Sequence, residues 1–302
     1  MNIDGIFTPA IVPLNSHSEI NKKAYGEVLE FLVAAKVNGI IVAGSTGEYY
    51  AHTNEERLEL AAYAKDVIGN RVPLVIGVGA IRTEDSVIFA KAAKDIKADG
   101  ILIGSSPYAL PTSEENAHHV LTVDKAAGLP IILYDYPGRQ CVMMDKEFLS
   151  IVTKKSKNVI GIKESSGLPG QLHLLGCEFP QLQLSCGWDD QALEFFAWGA
   201  RSWICAGSNF IPEEHIALYK AAVLEKDFDK ARGIMKALMP LMDFLELGKF
   251  VQSIKSGCKL AGLNPGGVRA PLQPLTGAEE EQLKAIIQTL KKEVAAVTGG
   301  KR

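Results

Sequence analysis

The chain has 302 residues, of which 47% are hydrophobic and 22% are charged, and its formal net charge at pH 7 is -3. This composition predicts a globular protein with a large core, built as one large α/β domain or two ordinary ones. Because the net charge is small and the basic residues are scattered, we do not expect nucleic acid as a partner. There is neither a basic leader before an apolar stretch nor a membrane-length apolar run, so we expect no membrane contact and a cytoplasmic location.

The five cysteines are widely spaced and form no Cys-x-x-Cys pair, so we expect reduced thiols and no disulfide framework. His173 and Cys177 have the i, i+4 spacing of a chelating pair, but no third ligand stands near them in the sequence. His118 and His119 are adjacent on a predicted helix and therefore point to different faces. We predict no metal site and no cofactor, with a metal site as a minor alternative.

Short apolar, β-branched runs recur along the chain, with segments of helical spacing between them. Eight runs are predicted strands, at residues 6–12, 39–43, 73–78, 100–103, 130–134, 159–163, 182–186 and 203–206. The predicted helices between the first strands are 21–35, 54–68, 83–97 and 113–127. Polar residues at helix starts predict N-caps at Thr53, Thr83, Ser113 and Asp145.

Alternation of strands and helices indicates parallel strands, and eight such units predict a closed (β/α)8 TIM barrel in residues 1–226, the expected catalytic domain. An open doubly wound sheet is the alternative. It is weakened because Phe7-Thr8-Pro9-Ala10 stands where a Gly-x-Gly-x-x-Gly turn would follow the first strand. After Lys226 the pattern is helical only, so residues 227–302 are predicted to form an appended C-terminal helical segment.

Active sites of such barrels lie at the carboxyl ends of the strands. Lys163 ends the sixth predicted strand, where loss of hydration would lower its pKa and make it a nucleophile for a carbonyl carbon. A salt-bridged lysine is the ordinary alternative. Tyr134 ends the neighbouring fifth strand and is a candidate acid and base, with the Thr46 hydroxyl passing the proton on. A core tyrosine is the alternative here.

Polar residues also follow the second, fifth and eighth strands. The turn Gly44-Ser45-Thr46-Gly47 follows the second strand, and its hydroxyl and backbone N–H groups suit a carboxylate. Arg139 follows the fifth strand and is a candidate clamp for a second carboxylate. The ordinary alternatives are a plain tight turn and an exposed loop arginine. Gly207-Ser208-Asn209 follows the eighth strand, a frequent phosphate position, without a basic residue beside it.

Together these segments resemble the dihydrodipicolinate synthase and N-acetylneuraminate lyase family, the pyruvate-dependent class I aldolases. The resemblance covers nearly the whole chain, and its motifs are Thr8-Pro9, Gly44-Ser45-Thr46-Gly47-Glu48, Ile132-Leu133-Tyr134 with Pro137, Gly161-Ile162-Lys163-Glu164, Gly187 with Asp189-Asp190, and Arg269-Ala270-Pro271-Leu272. It implies that Lys163 forms a Schiff base, that Tyr134 shuttles protons, and that Ser45 and Thr46 hold the carboxylate of a 2-oxo acid.

The resemblance also implies roles for three other residues and an assembly. Gly187 and Ile204 match positions whose backbone lines the pyruvate pocket, and Arg139 matches the carboxylate-binding arginine of the synthases. The family implies a homotetramer made of two tight dimers. Ala109 stands where the synthases lend a second tyrosine across the dimer interface, and only a shifted alignment would let Tyr108 serve in its place.

Other departures concern regulation and the second substrate. The positions that match a feedback lysine site do not reproduce it, so we expect no lysine inhibition; they are Tyr49, Tyr50, Asn54, Arg57 and Ile81. Three residues differ from those usual in the synthases and are expected to reshape the pocket for another second substrate; they are Asp135, Tyr136 and Trp188.

The sequence therefore predicts a cofactor-free lyase that forms a lysine enamine from pyruvate or a longer 2-oxo acid, similar to dihydrodipicolinate synthase but not regulated by lysine. Use of the same Schiff base for dehydration or deamination is an alternative, as in 1-pyrroline-4-hydroxy-2-carboxylate deaminase or a keto-deoxy sugar acid enzyme. A metal-dependent aldolase or phosphosugar enzyme is a second alternative, although few histidines lie at strand ends. A non-catalytic ligand-binding protein on the same fold is the third.

Overall fold

The computed structural model describes residues 1–299 and shows eight parallel strands closed into a barrel in sequential order. The strands are β1 (Gly5–Pro9), β2 (Gly39–Val42), β3 (Leu74–Gly77), β4 (Gly100–Gly104), β5 (Ile131–Asp135), β6 (Val159–Glu164), β7 (Gln183–Cys186) and β8 (Ser202–Ile204). Strand β1 pairs with both β2 and β8. The predicted (β/α)8 barrel is confirmed, and the open sheet is excluded because no strand is left at an edge.

Helices surround the barrel and continue beyond it at the C-terminal end. Those of the barrel are α1 (Lys22–Ala34), α2 (Asn54–Ile68), α3 (Thr83–Asp95), α4 (Ser113–Ala127), α5 (Pro137–Gln140), α6 (Lys146–Lys155), α7 (Pro169–Glu178), α8 (Ala192–Ala197) and α9 (Pro212–Tyr219). The C-terminal helices are α10 (Phe228–Glu246), α11 (Phe250–Leu260) and α12 (Gly277–Thr298). Within residues 1–299, no helix is both long enough and apolar enough to cross a membrane.

The first and last strands end earlier than their apolar composition predicts. Strand β1 ends at Pro9 rather than at residue 12, and β8 ends at Ile204 rather than at residue 206. The buried amide of Asn209 replaces the strand ladder there: its Nδ2 donates to the carbonyls of Pro9 and Ala206 at 2.9 Å, and its Oδ1 accepts from the Ile11 N–H at 3.1 Å. The Asn209 side chain thus links the segments that follow β1 and β8.

Side chains inside the barrel form a compact apolar layer below the carboxyl ends of the strands. The layer consists of Ile3, Phe7, Ile41, Val75, Leu102, Ile132 and Ile204, with Tyr134 and Ile160 packed against it. Successive residues of a strand face opposite sides, so Ile132 and Tyr134 of β5 share the inner face while Leu133 packs outward against the helices. Side chains at the carboxyl ends of the strands therefore rest on a packed apolar layer.

Two of the four predicted helix caps are confirmed. Thr53 and Asp145 accept backbone N–H groups in the first turns of α2 and α6. The predicted cap of α4 at Ser113 is wrong, because Thr112 takes the extended cap conformation and Ser113 donates instead to Asp145 Oδ2 at 2.8 Å. The predicted cap at Thr83 is also wrong, since that residue already lies inside α3. In both helices the cap lies one residue earlier than predicted, at Arg82 and Thr112.

Candidate active site

Lys163 lies near the end of β6, with Tyr134 of β5 and Ser185 of β7 as its strand neighbours. Its side chain points into the barrel and is only 9% exposed. Burial lowers the pKa of the Lys163 amine, and the nearby Asp189 carboxyl is the largest opposing influence. A larger share of neutral amine is therefore present near neutral pH than on an exposed lysine.

Tyr134 lies directly beside this amine. The Lys163 Nζ is 4.5 Å from the centre of the Tyr134 ring. Burial raises the pKa of Tyr134 to about 12, and the Arg139 guanidinium is the strongest influence in the other direction, followed by the Ser45 hydroxyl. The phenol is thus protonated at neutral pH, and it can donate a hydrogen bond to a substrate oxygen.

The turn after β2 brings hydroxyl groups to the same place. Ser45, Thr46 and Gly47 form a 3-10 turn, and Ser45 and Thr46 both line the cavity that contains Lys163. A Cβ at Gly47 would lie 2.8 Å from the carbonyl oxygen of Ala10, so glycine lets the turn approach the end of β1. The predicted proton relay through Thr46 stays a prediction, and the hydroxyl groups that lower the pKa of the Tyr134 phenol are those of Ser45 and Ser165.

A buried ion pair ties this turn to the C-terminal helices. Glu48 and Lys255 of α11 lie 2.5 Å apart, with side chains that are almost inaccessible to solvent. The Lys255 Nζ also donates to the Gly267 carbonyl at 2.7 Å. Burial lowers the pKa of Lys255, and the charge of Glu48 opposes that change. Sequence reasoning missed this pair because its members are about two hundred residues apart and no local pattern links them.

Two adjoining compartments form the cavity at the strand ends. The inner one has a volume of about 40 Å³ and the outer one about 230 Å³, and the two share Ser45, Tyr134, Tyr136 and Arg139 in their walls. All seven residues predicted for the site line these compartments: Ser45, Thr46, Tyr134, Arg139, Lys163, Gly187 and Ile204. The inner compartment suits a molecule of only a few heavy atoms.

Gly187 follows β7 and lies against the Lys163 side chain. A Cβ at this position would be 2.6 Å from Cγ and 2.7 Å from Cε of Lys163, and it would also collide with the Ser165 hydroxyl. The backbone N–H of Gly187 donates to the Glu164 carbonyl at 2.8 Å. Glycine is therefore required here for the close approach of Lys163, a packing reason that the sequence motif alone does not reveal.

Arg139 stands between the two compartments. Its guanidinium carbon lies 5.3 Å from the Tyr136 ring centre and 5.8 Å from that of Phe250. Burial alone would lower its pKa, but the phenols of Tyr134, Tyr136 and Tyr50 outweigh it and raise the pKa. Arg139 therefore stays positively charged at the mouth of the inner compartment, where it suits an anionic group.

The C-terminal segment supplies part of the inner wall. Glu246 at the end of α10 and Phe250 at the start of α11 both line the inner compartment. Sequence reasoning did not find them, because they lie outside the strand ends where a barrel places its chemistry. Among residues 1–299, no group of three or more histidine, cysteine, aspartate or glutamate side chains is arranged to hold a metal ion.

Two of the three residues expected to reshape the pocket line it. Tyr136 and Trp188 meet edge to face with ring centres 6.1 Å apart. The expectation for Asp135 is wrong, because it follows the inward-facing Tyr134 and so points away from the cavity. Its fully buried carboxyl accepts hydrogen bonds from the Met144 N–H and the Gln171 amide, both at 3.1 Å.

Comparisons with known proteins show the family of the chain. Residues 2–290 match the model of the dihydrodipicolinate synthetase family. The chain is 30% identical over 288 residues to 4-hydroxy-tetrahydrodipicolinate synthase 1 of Halalkalibacterium halodurans, covering 95% of this chain and 97% of that protein. It is 32% identical to the 4-hydroxy-tetrahydrodipicolinate synthase of Kosmotoga olearia, covering 94% of this chain and 97% of that protein.

Solved structures show the same likeness over the full chain. The 4-hydroxy-tetrahydrodipicolinate synthase of Methylacidiphilum fumariolicum SolV has a TM-score of 0.93 at 28% identity and covers 100% of both chains. YagE of E. coli K12, a prophage protein of the dihydrodipicolinic acid synthase family solved in complex with pyruvate, has a TM-score of 0.90 at 27% identity, covering 95% and 98%. The predicted enzyme class, a lyase of the class I aldolase type, is confirmed by the relatives. The chain belongs to the dihydrodipicolinate synthetase family.

Proposed function

We propose that Lys163 forms a Schiff base with the C2 carbonyl of pyruvate or a longer 2-oxo acid. The observation that carries this proposal is a buried amine of lowered pKa, 4.5 Å from the ring of a protonated phenol, in a compartment of small volume. The pyruvate complex of the relative YagE supports the choice of ligand.

In this proposal the neutral Lys163 amine adds to C2, and the carbinolamine then loses water to give an iminium ion. The iminium withdraws electrons from C3, so a bond beyond C3 can form or break through an enamine. Tyr134 donates the proton that water needs to leave and recovers protons in later steps. Ser45 and Thr46 hold the substrate carboxylate, and Gly187 and Ile204 shape the wall beside the methyl carbon.

The second substrate would occupy the outer compartment, where Arg139 offers its cation to a second carboxylate. We propose aldol chemistry like that named for the relatives. A second candidate is dehydration or deamination on the same iminium, which the Tyr136 and Trp188 rings favour because they narrow the space beside Lys163.

We also propose that free lysine does not regulate the enzyme. At one position that matches the feedback site, the Arg57 guanidinium is already committed inside the protein. It donates to the Gly77 carbonyl at 2.9 Å and stacks on the Phe89 ring with its carbon 3.7 Å from the ring centre. Such an arginine is not available to a ligand, and turnover at millimolar lysine is expected to equal turnover without it.

We propose a homotetramer, as the family implies. The loop after β4 exposes Tyr108 to 92% and Leu110 to 59%, and both residues have positive φ, which is rare for such side chains. The Ser106 hydroxyl donates to the carbonyl of Ile81 at 2.6 Å, which places the exposed Ile81 beside the same loop. Apolar side chains grouped at one surface suit contact with another copy of the chain.

The exchange of pyruvate methyl protons with D2O tests the proposed chemistry without knowledge of the second substrate. Enamine formation at Lys163 exchanges the C3 protons with solvent deuterium, so the methyl signal disappears from the proton NMR spectrum, and the Lys163→Ala variant separates this route from exchange through an enolate. We expect exchange with the unmodified enzyme and with Lys259→Ala, which removes an exposed lysine, and none with Lys163→Ala. Exchange that persists in Lys163→Ala, or its absence with every 2-oxo acid in a panel, contradicts the proposal.

A further inference from the structure

Asp189 is a second charged group at the inner compartment. It follows β7 and lines the cavity that also contains Lys163. The Trp203 indole N–H donates to Asp189 Oδ1 at 2.8 Å. Trp203 is fully buried and held in turn by the rings of His215 and Phe196, with centres 4.6 Å and 6.3 Å away. The carboxyl group therefore has a fixed position.

Five titratable groups face Lys163: the Asp189 carboxyl, the Cys186 and Cys205 thiols, the Arg139 guanidinium and the Tyr134 phenol. Burial raises the pKa of both thiols well above their usual value, so they are uncharged. The phenol is uncharged as well. Of these five groups, Asp189 therefore carries the negative charge and Arg139 the positive charge.

Asp189 faces charges of both signs itself. Burial raises its pKa to about 6, while Trp203 and Lys163 oppose that rise and Glu246 adds to it. A carboxyl with this pKa is mostly ionised at pH 7 and becomes neutral as the pH falls below 6. Because Lys163 and Asp189 act on each other, the charge state of one depends on that of the other.

We infer that Asp189, held by Trp203, is a positioning residue that balances the positive charge on the Lys163 nitrogen while the Schiff base exists. This inference rests on the proposed function. When the neutral amine adds to C2 and the carbinolamine takes up one proton and releases water, the iminium keeps one positive charge. With Arg139 the site then holds two positive charges against the single carboxylate of the bound 2-oxo acid, so one positive charge needs a further partner.

The test compares the formation of the reduced adduct at Lys163 with pyruvate and cyanoborohydride between pH 5 and 9. Asp189→Asn removes the charge but keeps an oxygen for the Trp203 N–H. Asp190→Asn is the matched control, since its carboxyl lies outside the inner compartment. In Asp189→Asn we expect the plateau rate of adduct formation at high pH to fall about tenfold. We also expect the rising limb of the pH–rate profile to move about one pH unit lower, because the Lys163 amine loses the neighbouring carboxylate that raises its pKa. In the control, neither changes.

If the rising limb of the pH–rate profile stays in place in Asp189→Asn, or moves equally in Asp190→Asn, the inference is overturned. Asp189 would then serve only to accept the hydrogen bond of the Trp203 N–H. If the unmodified enzyme gives no adduct, the proposed function has failed instead. Asp189→Ser is the second variant and decides the matter if Asp189→Asn does not fold. It also removes the charge and keeps a hydroxyl oxygen in the side chain, so we expect the rising limb of the pH–rate profile to move lower as in Asp189→Asn. A rising limb that stays in place in this variant contradicts the inference.

Discussion

At the scale of single residues, one physical cause acts on the two proposed catalytic groups. Burial lowers the pKa of Lys163 and raises that of Tyr134, because it disfavours the charged form of each. The amine is thereby shifted toward its nucleophilic form, and the phenol keeps the proton that it would donate. The two side chains share the inner face at neighbouring positions of β5 and β6.

Replacement of Tyr134 by phenylalanine keeps the ring and removes the phenol. We expect turnover to fall by about 10² to 10⁴, the usual contribution of a general acid or base. Adduct formation with pyruvate should persist at a lower rate, since Lys163 remains. Tyr63→Phe is the control, because Tyr63 lies in α2 and lines neither compartment. Turnover of Tyr134→Phe within a few-fold of normal would exclude the phenol as the proton carrier.

Replacement of Lys163 by methionine tests the cost of burying the amine. Its folded pKa is lower than its unfolded pKa, so the charged form destabilises the fold and stability is lost as the pH falls below the unfolded value. Methionine has a similar volume and no charge, and we expect the Tm at pH 7 to rise by about 2 °C or more. The gain should shrink toward pH 10. Calorimetry that shows a lower Tm for the variant at pH 7 contradicts this expectation.

At the scale of secondary-structure elements, the C-terminal helices complete the site. Helix α11 supplies Phe250 to the wall and Lys255 to the ion pair with Glu48, which follows the turn that holds Ser45 and Thr46. The division into a barrel (1–226) and a helical segment (227–302) remains a prediction. These contacts lead us to expect that the barrel loses pyruvate binding when the segment is removed.

The ion pair between Glu48 and Lys255 can be tested by a double-mutant cycle. Removal of one partner leaves the other charge buried and unpaired, which costs about 3 to 5 kcal/mol. We therefore expect Lys255→Met and Glu48→Gln each to lower the free energy of unfolding in urea, and the double variant to lose less than the two combined. The KM for pyruvate should also rise in the single variants. Single losses below about 1 kcal/mol would show that water reaches the pair.

Much of the fold and site follows from sequence, and the errors have physical reasons. The positions of the strands, with Tyr134 and Lys163 at their ends, could be predicted because periodicity is a local property of the sequence. The ends of β1 and β8 depend on the Asn209 side chain, which lies far along the chain from β1. Glu246 and Phe250 reach the cavity only through tertiary packing. Asp135 could have been assigned correctly from strand alternation.

At the scale of the whole molecule, the fold concentrates the chemistry at one end of the barrel and leaves an apolar loop at the surface. Within residues 1–299, nothing covers Tyr108 and Leu110. A second copy of the chain would remove these side chains from water.

The proposed assembly is open to a direct measurement of mass. Light scattering during size-exclusion chromatography should give the mass of four chains at micromolar concentration. The double variant Tyr108→Ser with Leu110→Ser should give smaller species, because it removes apolar contact area. Leu224→Ser is the control, since Leu224 is also exposed but lies in a different surface hollow, with Ala35 and Lys36 at the end of α1. A monomer in the unmodified protein, or an unchanged mass in the double variant, would contradict the proposal.

The central claim is that Lys163 forms a Schiff base with a 2-oxo acid. Its most direct test is incubation with saturating pyruvate and borohydride, followed by peptide mapping with mass spectrometry. The account predicts one modified peptide, with Lys163 heavier by the mass of pyruvic acid less one oxygen atom, and no modification in Lys163→Ala. The absence of any adduct, or an adduct on a different lysine, would contradict it.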